Sequence, residues 1–326
     1  MPQLIKIFIL CQLVRFGRGF TVLRSLSTRK CFLSGSDNSQ DESTVFNEKV
    51  RFVELSSVPE ETDATTRELP LFLLSNPFFP EGITNLNIFE MKYRTMMFDI
   101  SQKDDMLGYI QIESSGQIAQ VGTLCKVVER YLLEDGRQII TLEGRDRFKV
   151  RRILKTLPYV TAEVNLIDDD LTSNSELSKT LEREVYDYLK YYVRITRAIS
   201  QNKDLVLSAS VKKHRPTREN VDDHIRRSKF SLAVCNLIVL SPRQEQQLLQ
   251  TTSSFKRLNS IRIVLKNLVD YTTNTLIKED VLSAAQRDEI KFKAFNNDED
   301  SDILPADVYE EEQVAPKDEW DISNME

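Results

Sequence analysis

The spacing of apolar residues changes once along this chain, at Asp168-Asp169-Asp170. Before that point the apolar runs are short and separated by turn residues. Leu69 to Leu74, Leu124 to Leu133, Ile139 to Leu142, Arg147 to Ile153 and Tyr159 to Val164 read as strands, and Val160, Ala162 and Val164 alternate. After it, Leu177, Leu181, Val185, Tyr188, Tyr192, Ile195 and Ile199 are spaced 4, 4, 3, 4, 3, 4. That is one face of a long amphipathic helix. A strand-rich unit followed by a helical one is α+β, and the two halves cannot be copies of each other.

Local chemistry sharpens both halves. Asp135-Gly136 between apolar runs predicts a tight hairpin. Asn87 with Glu90 three residues on predicts a capped helix from about Asn87, covered by Ile88, Met91, Met96 and Phe98, with Phe89 and Tyr93 as an i,i+4 pair. Repeated short strands with one early helix suggest a small, partly closed antiparallel barrel or folded sheet. Farther on, Phe230 to Leu240 is apolar almost all round and reads as a buried helix or a strand, with the next motif favouring helix. Ser241-Pro242-Arg243-Gln244 carries a capping Ser, a Pro at the first helical position and a Gln at the third. Ser254 can cap a helix running to about Leu276, and a shorter one spans roughly Val281 to Phe292. Residues 201–222, with two basic clusters and Pro216, read as an exposed loop.

Charge is unevenly spread. The net charge is -6, yet residues 1–36 hold six Lys/Arg and no acid, and residues 298–326 hold twelve Asp/Glu and one Lys. The body between is near neutral, so it lacks the electrostatic footprint of a nucleic-acid binder. Arg-rich, Ser-bearing and acid-free, residues 1–36 read as an organelle presequence, plastid first and mitochondrion as the alternative. Their apolar stretch Leu4 to Val14 also permits a signal peptide ahead of a transit-like segment at Phe20, which resembles the bipartite presequences of algae with secondary plastids. Residues 37–66 read as a disordered linker, 67–170 as the β-domain, 171–295 as the helical bundle and 296–326 as an acidic tail.

No catalytic signature emerges. The Walker, dinucleotide and nucleophile-elbow patterns are missing from the folded region. Two histidines and four scattered cysteines support neither a metal cluster nor a disulfide framework. No cofactor is expected. Arg145, Arg147, Lys149 and Arg151 fall on one strand face and read as a solvated stripe; Asp168 to Asp170 read as a solvated loop. Phe78 and Phe79, before Pro80, are large aromatics in a turn. They either plug the barrel end or form an apolar patch for unfolded polypeptide.

Taken together, the motifs resemble the N-terminal substrate-binding domain of the Lon protease family. Pro70 and Leu71 open a strand, Pro80 closes a loop, Phe89, Glu90, Tyr93 and Arg94 carry the helix motif, and Gly108 sits in the next strand. Gly122-Thr123, Asp135-Gly136, then Gly144, Arg145 and Phe148, and later Phe230 to Pro242 with Gln247 to Gln250, continue the likeness over residues 69–270. The resemblance implies a pseudouridine-synthase-and-archaeosine-transglycosylase-like (PUA-like) β-domain followed by a helical bundle. It also implies recognition of polypeptides, with Phe78, Phe79 and Pro80 as the candidate contact. The chain length leaves no room for the ATPase and peptidase modules of the family's proteases. The expectation is therefore a non-enzymatic protein of the stand-alone plastid type. Its partners would be client polypeptides and an organelle ATP-dependent protease, with RNA binding by the PUA-like barrel as the alternative.

Overall fold

The computed structural model describes Phe46 and residues 48–55, 66–170, 175–200, 206–216 and 224–296. The expected presequence and acidic tail lie outside these residues. Eight strands come first: β1 Phe52–Val53, β2 Arg67–Leu74, β3 Ile83–Ile88, β4 Met106–Gln111, β5 Ile118–Ala119, β6 Val121–Leu132, β7 Gln138–Lys155 and β8 Thr161–Ile167. Helix α1, Met91–Ser101, sits between β3 and β4. The other helices follow: α2 Ser175–Ser200, α3 Ala209–His214, α4 His224–Cys235, α5 Pro242–Gln250, α6 Ser254–Lys278 and α7 Ala284–Asn296. The α+β order expected from the change of period is the one observed.

The main sheet runs β3-β7-β6-β4-β2-β8, and β7 also pairs with β8. Five strands therefore close into a barrel, and β3 hangs from β7 as an edge. Closure depends on the length of β7. Its first part pairs with β6 and β3, its last part with β8, and irregularities between Val150 and Arg152 and between Ile153 and Lys155 bend it around. One pairing departs from the antiparallel expectation: β2 and β4 are parallel, Leu71 opposite Gly108. A parallel pair needs a crossover, and β3 with α1 provides it.

Strands β2 and β4 read as continuous apolar runs because both of their faces are covered. Leu69, Leu71 and Ile110 point into the barrel, with Phe148, Leu124 and Val164. Phe72, Leu107 and Tyr109 point the other way, onto Tyr93, Met96, Met97 and Ile100 of α1. The barrel is narrow. A Cβ on Gly108 would stand 2.7 Å from the Leu71 side chain and 2.8 Å from that of Phe148.

Helix α1 starts later than its sequence suggests. Asn87 lies in β3 and pairs with Ile139, and the helix is capped at Glu90 with no side-chain cap bond. Phe89 and Met91 are consequently exposed rather than part of the core, as is Phe98. The local Asn-x-x-Glu signal loses to six ladder pairs with β7. Nor is all of the expected linker unstructured. β1 pairs with β5, and Gln247 and Gln250 of α5 donate to the carbonyls of Phe46 and Lys49 at 3.1 and 2.9 Å.

In the helical half, Ser241 and Gln244 form the expected capping box at the start of α5. Ser253 caps α6, one residue before the expected cap. The expected basic loop is partly built in: Ser208 caps α3, and Leu207 and Val211 enter the helical core. None of the helices described is long and apolar enough to cross a membrane.

Candidate functional site

Phe78, Phe79 and Pro80 occupy the turn between β2 and β3, and that turn is the hinge pin between the two halves. Phe78 is 5% exposed and packs in the α1-side cluster of the barrel, its ring 5.3 Å from Tyr109. Phe79 is 3% exposed and belongs to the helical core. Adjacent side chains thus enter different cores. The turn's backbone is held from both sides. Thr123 donates its hydroxyl to the Phe78 carbonyl, Asn236 just after α4 donates to that of Pro80 at 2.9 Å, and Ser210 of α3 donates to that of Glu81 at 2.7 Å. Glu81 has φ 62°, a conformation that side chains rarely adopt, and its carboxylate lies 3.0 Å from His214 Nε2. A Cβ on Gly144 would lie 2.6 Å from the Phe79 carbonyl, so the crossing requires glycine. Phe78, Phe79 and Pro80 are buried here and offer no contact surface; the two rings fill the α1-side cluster and the helical core and do not plug the barrel end.

The basic stripe is corrected too. Arg147 is buried, and it meets Asp169 and Arg257 at the junction of the halves. Arg257 grips Asp169 with two nitrogens, at 2.7 and 2.8 Å. Further bonds go to the carboxyl end of α5 and just beyond, Arg147 to the carbonyls of Leu249 and Thr251 at 3.0 and 2.7 Å and Arg257 to that of Leu248 at 3.2 Å, and Arg257 also donates to the Ser231 hydroxyl at 2.7 Å. Cations at a helix carboxyl end also answer its dipole. Burial works to raise the Asp169 pKa, but the two arginine charges and their hydrogen bonds prevail, and the net shift is downward. Burial, and then the like charge of Arg257, push Arg147 down to about 10, against the pull of Asp169. Of the neighbours, Arg145 is exposed and paired with Glu143 at 2.8 Å, and Arg152 pairs with Glu163. Arg147 is the buried member of the run, and its burial interrupts the stripe that phosphate would need.

Exposed apolar side chains lie elsewhere, several of them at the end of the sheet where the β6–β7 hairpin meets the start of α1. Leu132 is 72% exposed and Phe89 65%, and Tyr131 and Met91 are exposed too; alternation turns Leu132 to the face of Ile88 and Tyr131 to the face of Asn87. The register aligns Leu132, Gln138 and Ile88 across three strands, and Tyr131, Ile139 and Asn87 in the next row. Arg94 of α1 lies against Gly136 in the hairpin turn, where φ is 78°. Charges at this rim pair with each other: Lys92 with Glu90 at 2.8 Å and Arg137 with Asp135 at 2.6 Å. The Arg137 backbone N–H, then its side chain, hold the Asp135 carboxyl below its usual range. Sequence reasoning passed over this patch. Its signal was present in Tyr131-Leu132-Leu133, an apolar run that continues up to a turn no core can reach.

Among the described residues no group of three or more His, Cys, Asp and Glu could hold a metal. Cys125 and Cys235 are buried free thiols; burial raises both, Cys235 to about 12. Of the residues in the family motif, Pro70 and Leu71 lie in β2 and Tyr93 sends its hydroxyl toward the Leu73 carbonyl at 3.4 Å. Gly108 and Gly144 sit at close approaches. Phe89, Glu90 and Arg145 are at the surface.

Residues 68–267 match the family model described as the ATP-dependent protease La (LON) substrate-binding domain, and the chain belongs to this family. It is 25% identical over 221 residues to Lon protease 2 of Herpetosiphon aurantiacus, covering 65% of this chain and 25% of that one. Lon protease of Clostridioides difficile is 26% identical over 216 residues, covering 62% of this chain and 26% of the relative. The chain thus spans about a quarter of the length of these curated relatives. Among solved structures, the Lon N-terminal domain protein from Xanthomonas campestris aligns with a TM-score of 0.41 at 21% identity, covering 60% of this chain and 96% of that one.

Proposed function

We propose that this chain binds polypeptide clients, or the protease that degrades them, in organelle protein quality control, without catalysis of its own. The observation that carries the reading is a group of exposed apolar side chains, Phe89, Met91, Tyr131 and Leu132, at one end of the sheet of a member of a substrate-binding domain family. Non-catalytic action is supported by where the match falls, on a substrate-binding domain, and by thiols that burial keeps neutral. The PUA-like reading of the barrel rests on its five-strand closure. Against RNA binding stand the near-neutral body and the burial of Arg147, one of the four residues of the basic stripe.

Pull-down with a catalytically trapped organelle protease and an unfolded client tests the binding. Enrichment over a matched acidic control protein is expected; none would overturn the reading. The organelle address, plastid before mitochondrion, is tested by imaging residues 1–60 fused to a fluorescent protein. Diffuse fluorescence outside both organelles would dismiss it.

A further inference from the structure

Strand β3 is an open edge of unusual composition. Its sequence is Ile-Thr-Asn-Leu-Asn-Ile, with no charge, no proline and no glycine. Exposed edges are ordinarily blunted by lysine, proline, a bulge or extreme shortness, because their unpaired backbone groups attract another strand. This edge has none of these devices: its six residues pair with β7 in unbroken register. No other backbone hydrogen bond of β3 is found among the described residues. The bond from Gly144 N to Gly82 O, 2.9 Å, sets the alternation. Gly82, Thr84, Leu86 and Ile88 turn their backbone groups to β7, which leaves those of Ile83, Asn85 and Asn87 facing outward.

We propose that the β3 edge takes up a client polypeptide as an added strand, the segment being extended, uncharged and about six residues long. The proposal rests on the polypeptide-binding function above and names how that binding occurs. The outward N–H and C=O groups repeat at strand spacing, a pattern that only extended backbone completes. Side chains bound the edge in the same sense. Ile83, 62% exposed, and Phe89 stand at its two ends on the outer face, with Asn85 and Asn87 between. Leu86 on the other face already packs against the barrel cluster, so an apolar client residue beside it extends that cluster. A second copy of the chain fits less well. An edge of six residues is about 20 Å long, and one strand pair of that length falls well short of the roughly 1,200 Å² that stable protein interfaces bury. A client strand also reaches Phe89 and Met91 at the end of the edge.

The test uses the full chain and a fluorescein-labelled peptide of four Thr-Val repeats, read by fluorescence anisotropy. The peptide is also made with alternate backbone nitrogens methylated, in each of the two sets. Methylation of one set should weaken binding about ten-fold or more, as expected when two or more backbone hydrogen bonds are lost. Asn85→Lys and Asn85→Pro, whose N–H faces outward, should do the same with the circular dichroism melt unchanged. If Asn85→Pro does not fold, Asn85→Lys and the methylated peptides decide. The edge proposal is overturned if binding survives both methylated sets and Asn85→Lys but falls with Phe89→Ser; polypeptide binding then stands, through the apolar patch alone. Failure of the peptide and of an unfolded client alike removes the parent reading with it. Sedimentation showing a dimer that Asn85→Lys converts to monomer would assign the edge to a second copy and also overturn the proposal.

Discussion

Asp169 answers two buried guanidinium groups, and the balance is asymmetric. Replacing all three ionic groups by well-packed apolar ones can be nearly neutral, whereas removing one partner strands a buried charge. Asp169→Asn should therefore cost about 3–5 kcal/mol, measured by urea denaturation at neutral pH. The acid limb follows from the lowered Asp169 pKa. A depressed folded value contributes stability that is fully present above the unfolded carboxylate value of about 3.9. It is lost as pH falls through the folded value. Urea midpoints taken down this range should fall for the natural protein and flatten for Asp169→Asn. A variant as stable and as acid-sensitive as its parent would refute the role assigned to Asp169. Strand alternation placed Arg147 correctly on a face, but it could not say what that face meets. The partners Asp169 and Arg257 are 22 and 110 residues away, and nothing local in the sequence marks them.

At the scale of elements, legibility followed how local the chemistry is. The Ser241–Gln244 box and the Asp135-Gly136 turn are complete within a few residues and were readable as such. The Asn87–Glu90 pattern is just as local, but β3 competes for the same residues. Ladder pairs with Gln138 to Glu143, half a domain away, settle the contest. The same strand then supplies the edge, which is why the candidate surface was hidden from sequence reasoning while Phe78 and Phe79 drew attention. Element packing also makes Gly108 testable. Gly108→Ala forces the Leu71 and Phe148 side chains apart inside a filled barrel. The expected loss is about 1–3 kcal/mol, read as a lower midpoint in chemical denaturation with far-UV circular dichroism. No loss would mean that the barrel core is looser than its packing implies.

Across the whole molecule, the two halves share cores rather than merely touching. Phe79 and Val121 come from the barrel half and sit in the helical core, and Gln246 of α5 donates to the Val121 carbonyl at 2.8 Å. The Arg147–Asp169–Arg257 cluster ties the same boundary. One cooperative unfolding transition is expected, with far-UV and near-UV circular dichroism melting together. Asp169→Asn should separate the two signals if the junction is what couples the halves. Coincident melting of that variant would place the coupling in the shared apolar core instead.

Strict adjacency of Phe78 and Phe79 has a genetic consequence. Their two side chains, adjacent in the chain, enter different cores, so the length of the turn is tied to both. Lengthening it by one residue sends each ring toward the wrong compartment while β2 and β3 keep their own sheet neighbours. Surface loops ordinarily absorb such length changes at small cost, and the hairpin turn at Gly136 should do so. A single-residue insertion scan should find the Phe78–Phe79 junction closed to every insertion. Relatives of this chain would then drift in loop length everywhere except at this turn, where only substitution is open to them.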